Sequence, residues 1–177
     1  RVHELRKDCD GIMVGIGTVL ADDPRLTVHK IDAKPSDNPV RIVVDSKCRT
    51  PADARITNGD AKTIIAMANE YKDEFKASDK YEILKSKGVK FFFSGDVQVD
   101  LKMLMIYLHE EGIDKLMLEG GSTLNFSMIK AGLIDEISIC VAPMVVGGVN
   151  AKTFFDGEGF NTMDESVKLK LIDYYRL

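Results

Sequence analysis

Short apolar runs alternate with polar or amphipathic stretches along most of the chain. Runs rich in β-branched residues, of which 40–44 is the clearest, predict buried strands. Apolar residues spaced three or four positions apart on polar stretches predict helices. Strands are predicted at 11–16, 40–44, 63–67, 89–93, 115–118, 134–142 and 167–171. Helices are predicted at 1–8, 18–23, 70–87 (one or two), 100–111 and 122–131.

The alternation of strands and helices predicts an α/β fold, with a mostly parallel central sheet flanked by helices on both faces. The last two predicted strands follow one another without a helix between them, so an antiparallel C-terminal edge is expected. No internal repeat and no low-complexity linker divides the 177 residues. A chain of this length is expected to form one domain around one core.

Composition and charge exclude several classes of function. The formal net charge is −4 and no Lys/Arg cluster stands out, which argues against a nucleic-acid partner. No apolar stretch approaches the roughly 20 residues of a membrane span. The three cysteines (Cys9, Cys48 and Cys140) are widely spaced and the histidines lack ligand spacing, so neither a disulfide framework nor a metal site is predicted. A reducing cytoplasm is the expected location.

Candidate chemistry lies where three predicted strands end, because open α/β sheets bind ligands at the carboxyl ends of their strands. One such end carries Gly120-Gly121, between a strand and a helix. Two glycines let the backbone approach a ligand closely, and the first N–H groups of the helix favour a pyrophosphate. Ser122 and Thr123 add hydroxyl donors. A tight turn with a Ser or Thr N-cap accounts for the same residues equally well.

Glu119 comes directly before these glycines. A carboxylate beside a phosphate site needs a donor-rich group to face, and a pyrimidine with amino substituents is such a group. The alternative is a surface glutamate paired with a lysine, and the position of Glu119 taken alone favours that alternative.

A second strand end carries Gly15-x-Gly17. The Rossmann fingerprint for dinucleotides needs a third glycine at position 20, which is Leu20, so the segment is not that fingerprint. Thr18 and Asp22 lie four residues apart on one face of a short helix, where they can offer a hydroxyl and a carboxylate to a sugar or an amide. The alternative is an N-cap threonine and a helix-end aspartate.

The third strand end is Asp45-Ser46, followed by Lys47 and Arg49. Ser46, Lys47 and Arg49 suit the extra 2′-phosphate of NADPH, because Arg binds phosphate through parallel hydrogen bonds and Lys supplies a point charge. A solvated turn with scattered basic residues is the alternative. The sequence leaves the choice between NADPH and NADH open.

Together these segments resemble one family, the riboflavin-pathway pyrimidine reductases, and especially its stand-alone archaeal members. The resemblance rests on an ordered set of motifs that covers most of the chain. They are G-x-G-T-V-L-x-D-D-P-x-L-T-V-H at 15–29, P-V-R-I-V-V-D-S at 39–46 with Arg49 and Pro51, L-E-G-G-S-T-L-N at 118–125, G-L-I-D-E at 132–136, and A-P followed by G-G within 142–148. The combined zinc-deaminase signature of the fused bacterial members, His-x-Glu with Pro-Cys-x-x-Cys, is absent from the sequence, so only the reductase is implied.

The resemblance implies a dihydrofolate-reductase-like fold, a homodimer, and the reduction by NADPH of the ribosyl group of a phosphorylated pyrimidine to a ribityl chain. It implies substrate contacts for Leu26, His29 and Glu119 and names no catalytic acid or base. With the residues argued above, the predicted cofactor site comprises Thr18, Asp22, Asp45, Ser46, Lys47, Arg49, Gly120, Gly121, Ser122, Thr123 and Leu124.

Members of this family begin with a strand before the first helix and end with a further strand after a Tyr-Arg pair. Residues 1–177 are therefore expected to be a single reductase domain without those two terminal strands. Two other functions remain open. One is a related reductase acting on a pterin or folate, against which the Asp-Asp-Pro-x-Leu-Thr segment at 22–27 argues. The other is a non-catalytic nucleotide-binding module.

Overall fold

The computed structural model describes residues 1–148 and 151–174, and its central feature is a sheet of five parallel strands. The strands are β1 (Gly11–Gly15), β2 (Val40–Val44), β3 (Thr63–Met67), β4 (Lys90–Phe93) and β5 (Leu116–Leu118). The α-helices are α1 (Val2–Lys7), α2 (Ile16–Asp22), α3 (Lys72–Lys76), α4 (Asp79–Ser86), α5 (Leu101–Glu110) and α6 (Ser122–Lys130). Short 3₁₀ helices lie at Pro35–Asp37, Arg55–Thr57 and Asn69–Tyr71. The predicted α/β class is confirmed, and the stretch 70–87 forms two α-helices.

The strand order is β4-β3-β2-β1-β5. The chain places β2, β3 and β4 successively on one side of β1 and then crosses to place β5 on the other side. β1 therefore has two parallel neighbours, with Gly11 opposite Val40 in β2 and opposite Leu116 in β5. This reversal makes the space between β1 and β5 the topological switch point, where parallel sheets bind ligands at the carboxyl ends of their strands.

Both faces of the sheet are covered. On one face Ile12 and Val43 pack with Phe75, and on the other Ile42 packs with Leu104 from α5. Central parallel strands are buried on both sides, which explains why residues 42–44 of β2 and 64–67 of β3 are continuous apolar runs.

The limits of α5 follow from identifiable residues. The Asp100 carboxylate accepts hydrogen bonds from the backbone N–H groups of Lys102 (2.9 Å) and Met103 (3.0 Å), which caps the first turn. Gly112 follows the helix at φ +81°, a left-handed conformation that glycine adopts without strain. The helix predicted at 100–111 is confirmed with these ends.

The predicted antiparallel C-terminal edge is not formed within the described residues. Neither 134–142 nor 167–171 is a strand, and the five described strands are all parallel. Their apolar side chains are largely exposed, with Val141 at 85% and Leu169 at 66%. A strand needs a neighbour that pairs its N–H and C=O groups and a surface that covers its apolar side. The described part of the chain offers these segments no strand partner and covers few of their apolar side chains, Ile134 among them, so strand propensity alone does not make them strands.

Over residues 1–148 and 151–174, no helix is long and apolar enough to cross a membrane. The same ranges contain no group of three or more His, Cys, Asp or Glu side chains placed to hold a metal ion.

Candidate active site

Two glycine-bearing strand ends meet at the switch point. The backbone N–H of Gly15 donates to the carbonyl of Gly120 (2.7 Å), and the peptide bond between Gly120 and Gly121 is cis. A Cβ on Gly121 would lie 3.4 Å from Thr18 Oγ1, and a Cβ on Gly15 would lie 3.5 Å from Leu124 Cβ. The structure thus brings Thr18, Gly121 and Leu124 together from two distant segments, and the glycines leave the backbone bare between them.

Helix α6 begins at this edge without a side-chain cap. Its N-cap is Gly121, in an extended conformation with φ −69°, and no side chain of the described residues caps the helix. The predicted alternative, a turn capped by Ser122 or Thr123, is therefore not the arrangement found: both residues lie inside the first turn. The backbone N–H groups of this turn, together with the helix dipole, favour an anion.

A strap of residues 152–156 lies beside the start of α6. The Ser122 hydroxyl donates to the Asp156 carboxylate, and the Asp156 N–H donates to the Ser122 carbonyl (3.2 Å). Asn125 Nδ2 donates to the carbonyl of Phe154 (3.0 Å). The hydrogen bonds from Ser122 and then Thr153 lower the pKa of Asp156. Sequence reasoning missed Asp156, because nothing in its local pattern indicates contact with a helix 34 positions earlier.

Glu119 is held by an arginine from the first helix. Arg6 Nε donates to Glu119 Oε1 (2.8 Å), and Arg6 Nη2 donates to Oε2 (2.7 Å). Both side chains are mostly buried, at 13% and 18% exposure. The alternative of a surface glutamate paired with a lysine is therefore wrong. Sequence reasoning did not identify Arg6 as a site residue, because it is one of several charged residues of the first predicted helix.

Arg6 also lines a cleft of about 440 Å³ that is rich in cationic side chains. A cleft of this size holds a small ligand. Two residues predicted to contact substrate, Leu26 and His29, lie on its wall. The lining residues are Val2, His3, Arg6, Pro24, Arg25, Leu26, His29, Lys30 and Arg55. Six of these nine carry a basic side chain, so the cleft favours an anionic ligand although the whole chain is acidic.

Two histidines pack together in this cleft. The rings of His3 and His29 are T-shaped with centroids 4.4 Å apart, and the backbone N–H of His29 donates to His3 Nδ1 (3.3 Å). Burial lowers the pKa of His3 below its usual 6.5, with His29 and then Arg6 adding to the shift. His3 therefore accepts a proton less readily than a free imidazole does.

The end of β2 is a tight turn held by Asp45. This fully buried carboxylate accepts two hydrogen bonds through Oδ2, from the N–H and the hydroxyl of Thr50 (both 2.7 Å). Ser46 Oγ accepts from the Val99 N–H (3.2 Å). Lys47 and Arg49 are exposed beyond the turn. Of the four cofactor contacts predicted in this segment, the side chains of Lys47 and Arg49 are therefore accessible to a ligand. Asp45 instead holds the conformation of the loop that carries them.

A larger cleft, of about 530 Å³, lies at the opposite end of the sheet, where Val40 and Thr63 begin their strands. Lys62 and Lys87 are among its lining residues, and the Lys87 ammonium already donates to the carbonyl of Ala52 (2.7 Å). Ligands of parallel sheets bind at the other end of the strands. We therefore take the glycine edge as the candidate active site, together with the smaller cleft that the Arg6–Glu119 pair links to it.

The fold and this edge define a class of protein: an α/β domain in which glycine-bearing strand ends meet at the switch point of a parallel sheet, without the Rossmann fingerprint. Residues 1–177 match the family model of the RibD C-terminal domain, and the chain belongs to that family. The predicted dihydrofolate-reductase-like fold is confirmed by solved relatives. One of them, RibD of Acinetobacter baumannii (form 2), has a TM-score of 0.74 and 25% identity, covering 97% of this chain and 45% of that one.

Two archaeal relatives are more similar in sequence. The first is named 2,5-diamino-6-ribosylamino-4(3H)-pyrimidinone 5′-phosphate reductase, from Methanothermobacter thermautotrophicus. It is 51% identical over 177 residues, which is all of this chain and 79% of that protein. The protein of the same name from Archaeoglobus fulgidus is 43% identical over 166 residues, covering 90% of this chain and 73% of that protein.

Proposed function

We propose that this chain uses NADPH to reduce 2,5-diamino-6-ribosylamino-4(3H)-pyrimidinone 5′-phosphate to its ribitylamino product in riboflavin biosynthesis. The observation that carries the proposal is the Arg6–Glu119 pair, which links two unlike half-sites. A bare glycine edge with an uncapped helix start suits a dinucleotide, and a basic cleft suits a phosphate. Glu119 joins them, because it follows β5 at the glycine edge and is paired with Arg6 of the cleft. The archaeal relatives carry the name of this reaction.

The glycine edge fits a reduced nicotinamide dinucleotide. A Cβ at Gly15 or Gly121 would fill the space against Leu124 and Thr18, so glycine keeps a cradle open there. Asn125 Oδ1, in the first turn of α6, is a buried acceptor with no partner among the described residues, and a carboxamide N–H suits it. The proposed contacts are Thr18, Asp22, Gly120, Gly121, Ser122, Thr123 and Leu124 for the body of the cofactor, and Ser46, Lys47 and Arg49, on the turn shaped by Asp45, for its 2′-phosphate.

The basic cleft fits the phosphorylated substrate. Arg6, Arg25 and Arg55 supply the charge that a phosphate needs, and guanidinium groups bind phosphate through paired hydrogen bonds. Glu119 accepts hydrogen bonds from the amino groups of the pyrimidine, while Leu26 and His29 contact the substrate beside it. Because Arg6 fixes both oxygens of Glu119, the carboxylate is oriented before the substrate arrives.

The proposed reaction requires the substrate and the cofactor to be aligned, and it needs no general acid or base from the protein. The ribosylamine of the substrate opens to an imine, in which C1′ is doubly bonded to nitrogen. When bound, a reduced nicotinamide would supply the hydride that C1′ accepts. The electron pair of the C=N bond moves to nitrogen, which takes a proton from water, and the product has a C–N single bond. The residues of the chain hold the two partners together and exclude other orientations.

We also infer that the chain forms a homodimer. Exposed apolar side chains are concentrated after residue 138, among them Val141, Val145 and Leu169. So many exposed apolar side chains in one part of a folded chain favour an interface there. A second copy can supply the pairing that 134–142 and 167–171 lack. Sedimentation analysis tests this: a single species of monomer mass at micromolar concentration would contradict it.

The proposed reaction is tested with the purified chain, NADPH and the phosphorylated pyrimidine. Oxidation of NADPH is followed by its absorbance, and deuterium-labelled cofactor is used to trace the transferred atom. We expect one deuterium at C1′ of a product that is heavier than the substrate by the two added hydrogens. NADPH fluorescence that changes on mixing without any turnover would support the binding module instead. Turnover with dihydrofolate but not with the pyrimidine would support a folate reductase.

A further inference from the structure

Arg41, on β2, is a charged residue with no exposed surface. Its guanidinium donates to Thr63 Oγ1 (3.1 Å), to Asn58 Oδ1 (3.1 Å) and to three backbone carbonyls. The carbonyls belong to Arg25 (3.4 Å), Arg55 (3.3 Å) and Ala61. Burial lowers the pKa of Arg41 to about 10, so the group keeps its proton at neutral pH.

This set of acceptors is unusual for a buried cation. Buried charges are normally paired with an opposite charge, and none of the hydrogen bonds of Arg41 goes to a carboxylate. The side chain instead spreads its donors over an amide, a hydroxyl and three carbonyls. The carbonyl of Arg25 lies after α2, and those of Arg55 and Ala61 lie in the one connection between β2 and β3. Only a guanidinium offers donors in so wide a fan. Burying a charge costs free energy, and an apolar side chain would fill the same space without that cost. The hydrogen bonds of Arg41 therefore serve a purpose other than packing.

Two of the loops that Arg41 joins carry cations of the basic cleft. The Nη1 atom of Arg41 contacts the backbones of Arg25 and Arg55, whose residues both line the cleft. A second tie lies nearer the surface, where the Asp23 carboxylate accepts a hydrogen bond from the Arg55 N–H (2.8 Å). The two loops are thus fixed to each other at two points, one in the core and one near the surface.

We infer that Arg41 is a positioning residue, which sets the spacing of Arg25 and Arg55 so that both meet the phosphate of the substrate. The inference rests on the proposed function, because it assumes that the cleft takes this phosphate. Arg25 and Arg55 carry like charges and are both exposed, so attraction between their side chains does not hold their spacing. The backbone must therefore hold the spacing, and the buried Arg41 guanidinium donates to the backbone carbonyls of both residues.

The first test replaces Arg41 by lysine, which keeps the charge and loses the fan of donors. We expect KM for the phosphorylated substrate to rise about tenfold to a hundredfold, since displacements of about 1 Å cause losses of that order. The Kd of NADPH and the kcat at saturating substrate should stay close to those of the parent chain. The matched control is Ile42→Val, at the next position of β2 on the opposite face of the sheet. It perturbs the same strand without touching either loop.

A second variant tests the same idea without disturbing the core. Asp23→Gly removes the carboxylate that holds Arg55, and glycine suits the left-handed backbone there, at φ +39°. Asp23→Asn is its control, because the amide oxygen still accepts a hydrogen bond and asparagine tolerates this conformation. We expect Asp23→Gly to raise KM in the same direction as Arg41→Lys, and Asp23→Asn to leave it nearly unchanged.

Binding of inorganic phosphate, followed by the NMR signal of the His29 ring, separates the inference from the proposed function. If the parent chain reduces the pyrimidine and both Arg41→Lys and Asp23→Gly bind phosphate like the parent, the inference is wrong and the function stands. If the parent chain does not reduce the pyrimidine, but phosphate binding is weakened in both variants and not in the controls, the function is wrong and the positioning role stands. Equal losses of phosphate affinity in Arg41→Lys and Ile42→Val would show that Arg41 only stabilises the fold, and would overturn the inference.

Discussion

The guanidinium of Arg6 donates a hydrogen bond to each carboxylate oxygen of Glu119, which lies 113 positions further along the chain. This pair joins α1 to the end of β5 and leaves both side chains mostly buried. It connects the two halves of the proposed site, since Arg6 lines the basic cleft and Glu119 adjoins the glycine edge.

Replacement of Glu119 by glutamine should weaken substrate binding far more than cofactor binding. The amide keeps the size of the side chain but removes the negative charge that Arg6 and the pyrimidine amino groups share. We expect KM for the pyrimidine to rise by about tenfold or more, as for the loss of a charged hydrogen bond of roughly 1.5–3 kcal/mol. Steady-state kinetics and NADPH fluorescence titration measure the two effects. An equal loss of NADPH affinity would show that Glu119 belongs to the cofactor side.

Alanine at Gly121 should block the cofactor and spare the fold. The backbone there has φ −69°, which alanine adopts freely, and the new Cβ would lie 3.4 Å from Thr18 Oγ1 in ordinary contact. We expect the Kd of NADPH to rise about tenfold or more, with the free energy of unfolding changed by less than about 0.5 kcal/mol. Gly120→Ala is the contrasting variant. Its φ of +97° strains any side chain, so it should lose about 1–3 kcal/mol of stability in denaturant unfolding.

The pKa of His3 should depend on its neighbour His29. Burial is the main cause that lowers the pKa of His3, and His29 is the next, so His29→Gln should raise the pKa of His3 part of the way back towards 6.5. Because the folded pKa lies below the unfolded one, His3 contributes stability at pH values above about 6.5. That contribution is lost as the pH falls through 6.5 towards the folded value. NMR titration of the ring signals measures the shift, and an unchanged His3 pKa in His29→Gln would contradict the coupling.

The cysteines should differ sharply in reactivity. Burial raises the pKa of the Cys48 thiol to about 11, and burial also raises the pKa of Cys9. Cys140 is exposed. Since the thiolate is the reactive form, iodoacetamide at neutral pH should label Cys140 first and Cys48 only after unfolding. Peptide mapping by mass spectrometry follows the order of labelling. Early labelling of Cys48 in the folded chain would show that its turn opens readily.

Much of the sheet follows from local sequence. The strands at 40–44 and 63–67 are formed with the predicted ends, because β-branched runs bounded by polar residues bury both faces. The start of α6 was also located, since two glycines after an apolar run leave few other structures open. In each case the deciding interactions lie within a few residues of one another.

The rest of the site depends on contacts between distant segments. Arg6 and Asp156 are ordinary charged residues in the sequence, and only the topology brings them to Glu119 and Ser122. The strand predictions at 134–142 and 167–171 were wrong for a related reason. The alternation of apolar residues in 134–142 indicates a surface that needs to be covered, but not which segment covers it. Asp45 was predicted to contact the cofactor, and its carboxylate is engaged with Thr50, a partner five residues ahead that strand patterns do not reveal.

The strand order has a consequence for how the site comes into being. β1 pairs early in the sequence with β2, but its other neighbour, β5, is more than 100 residues away. A chain emerging from the ribosome can assemble β1 to β4 through local crossovers while one side of β1 remains open. The glycine edge, where the ends of β1 and β5 meet, forms only when the last part of the sheet docks. The proposed dinucleotide site is therefore completed at the end of folding, and cofactor binding during synthesis would report that the sheet is complete.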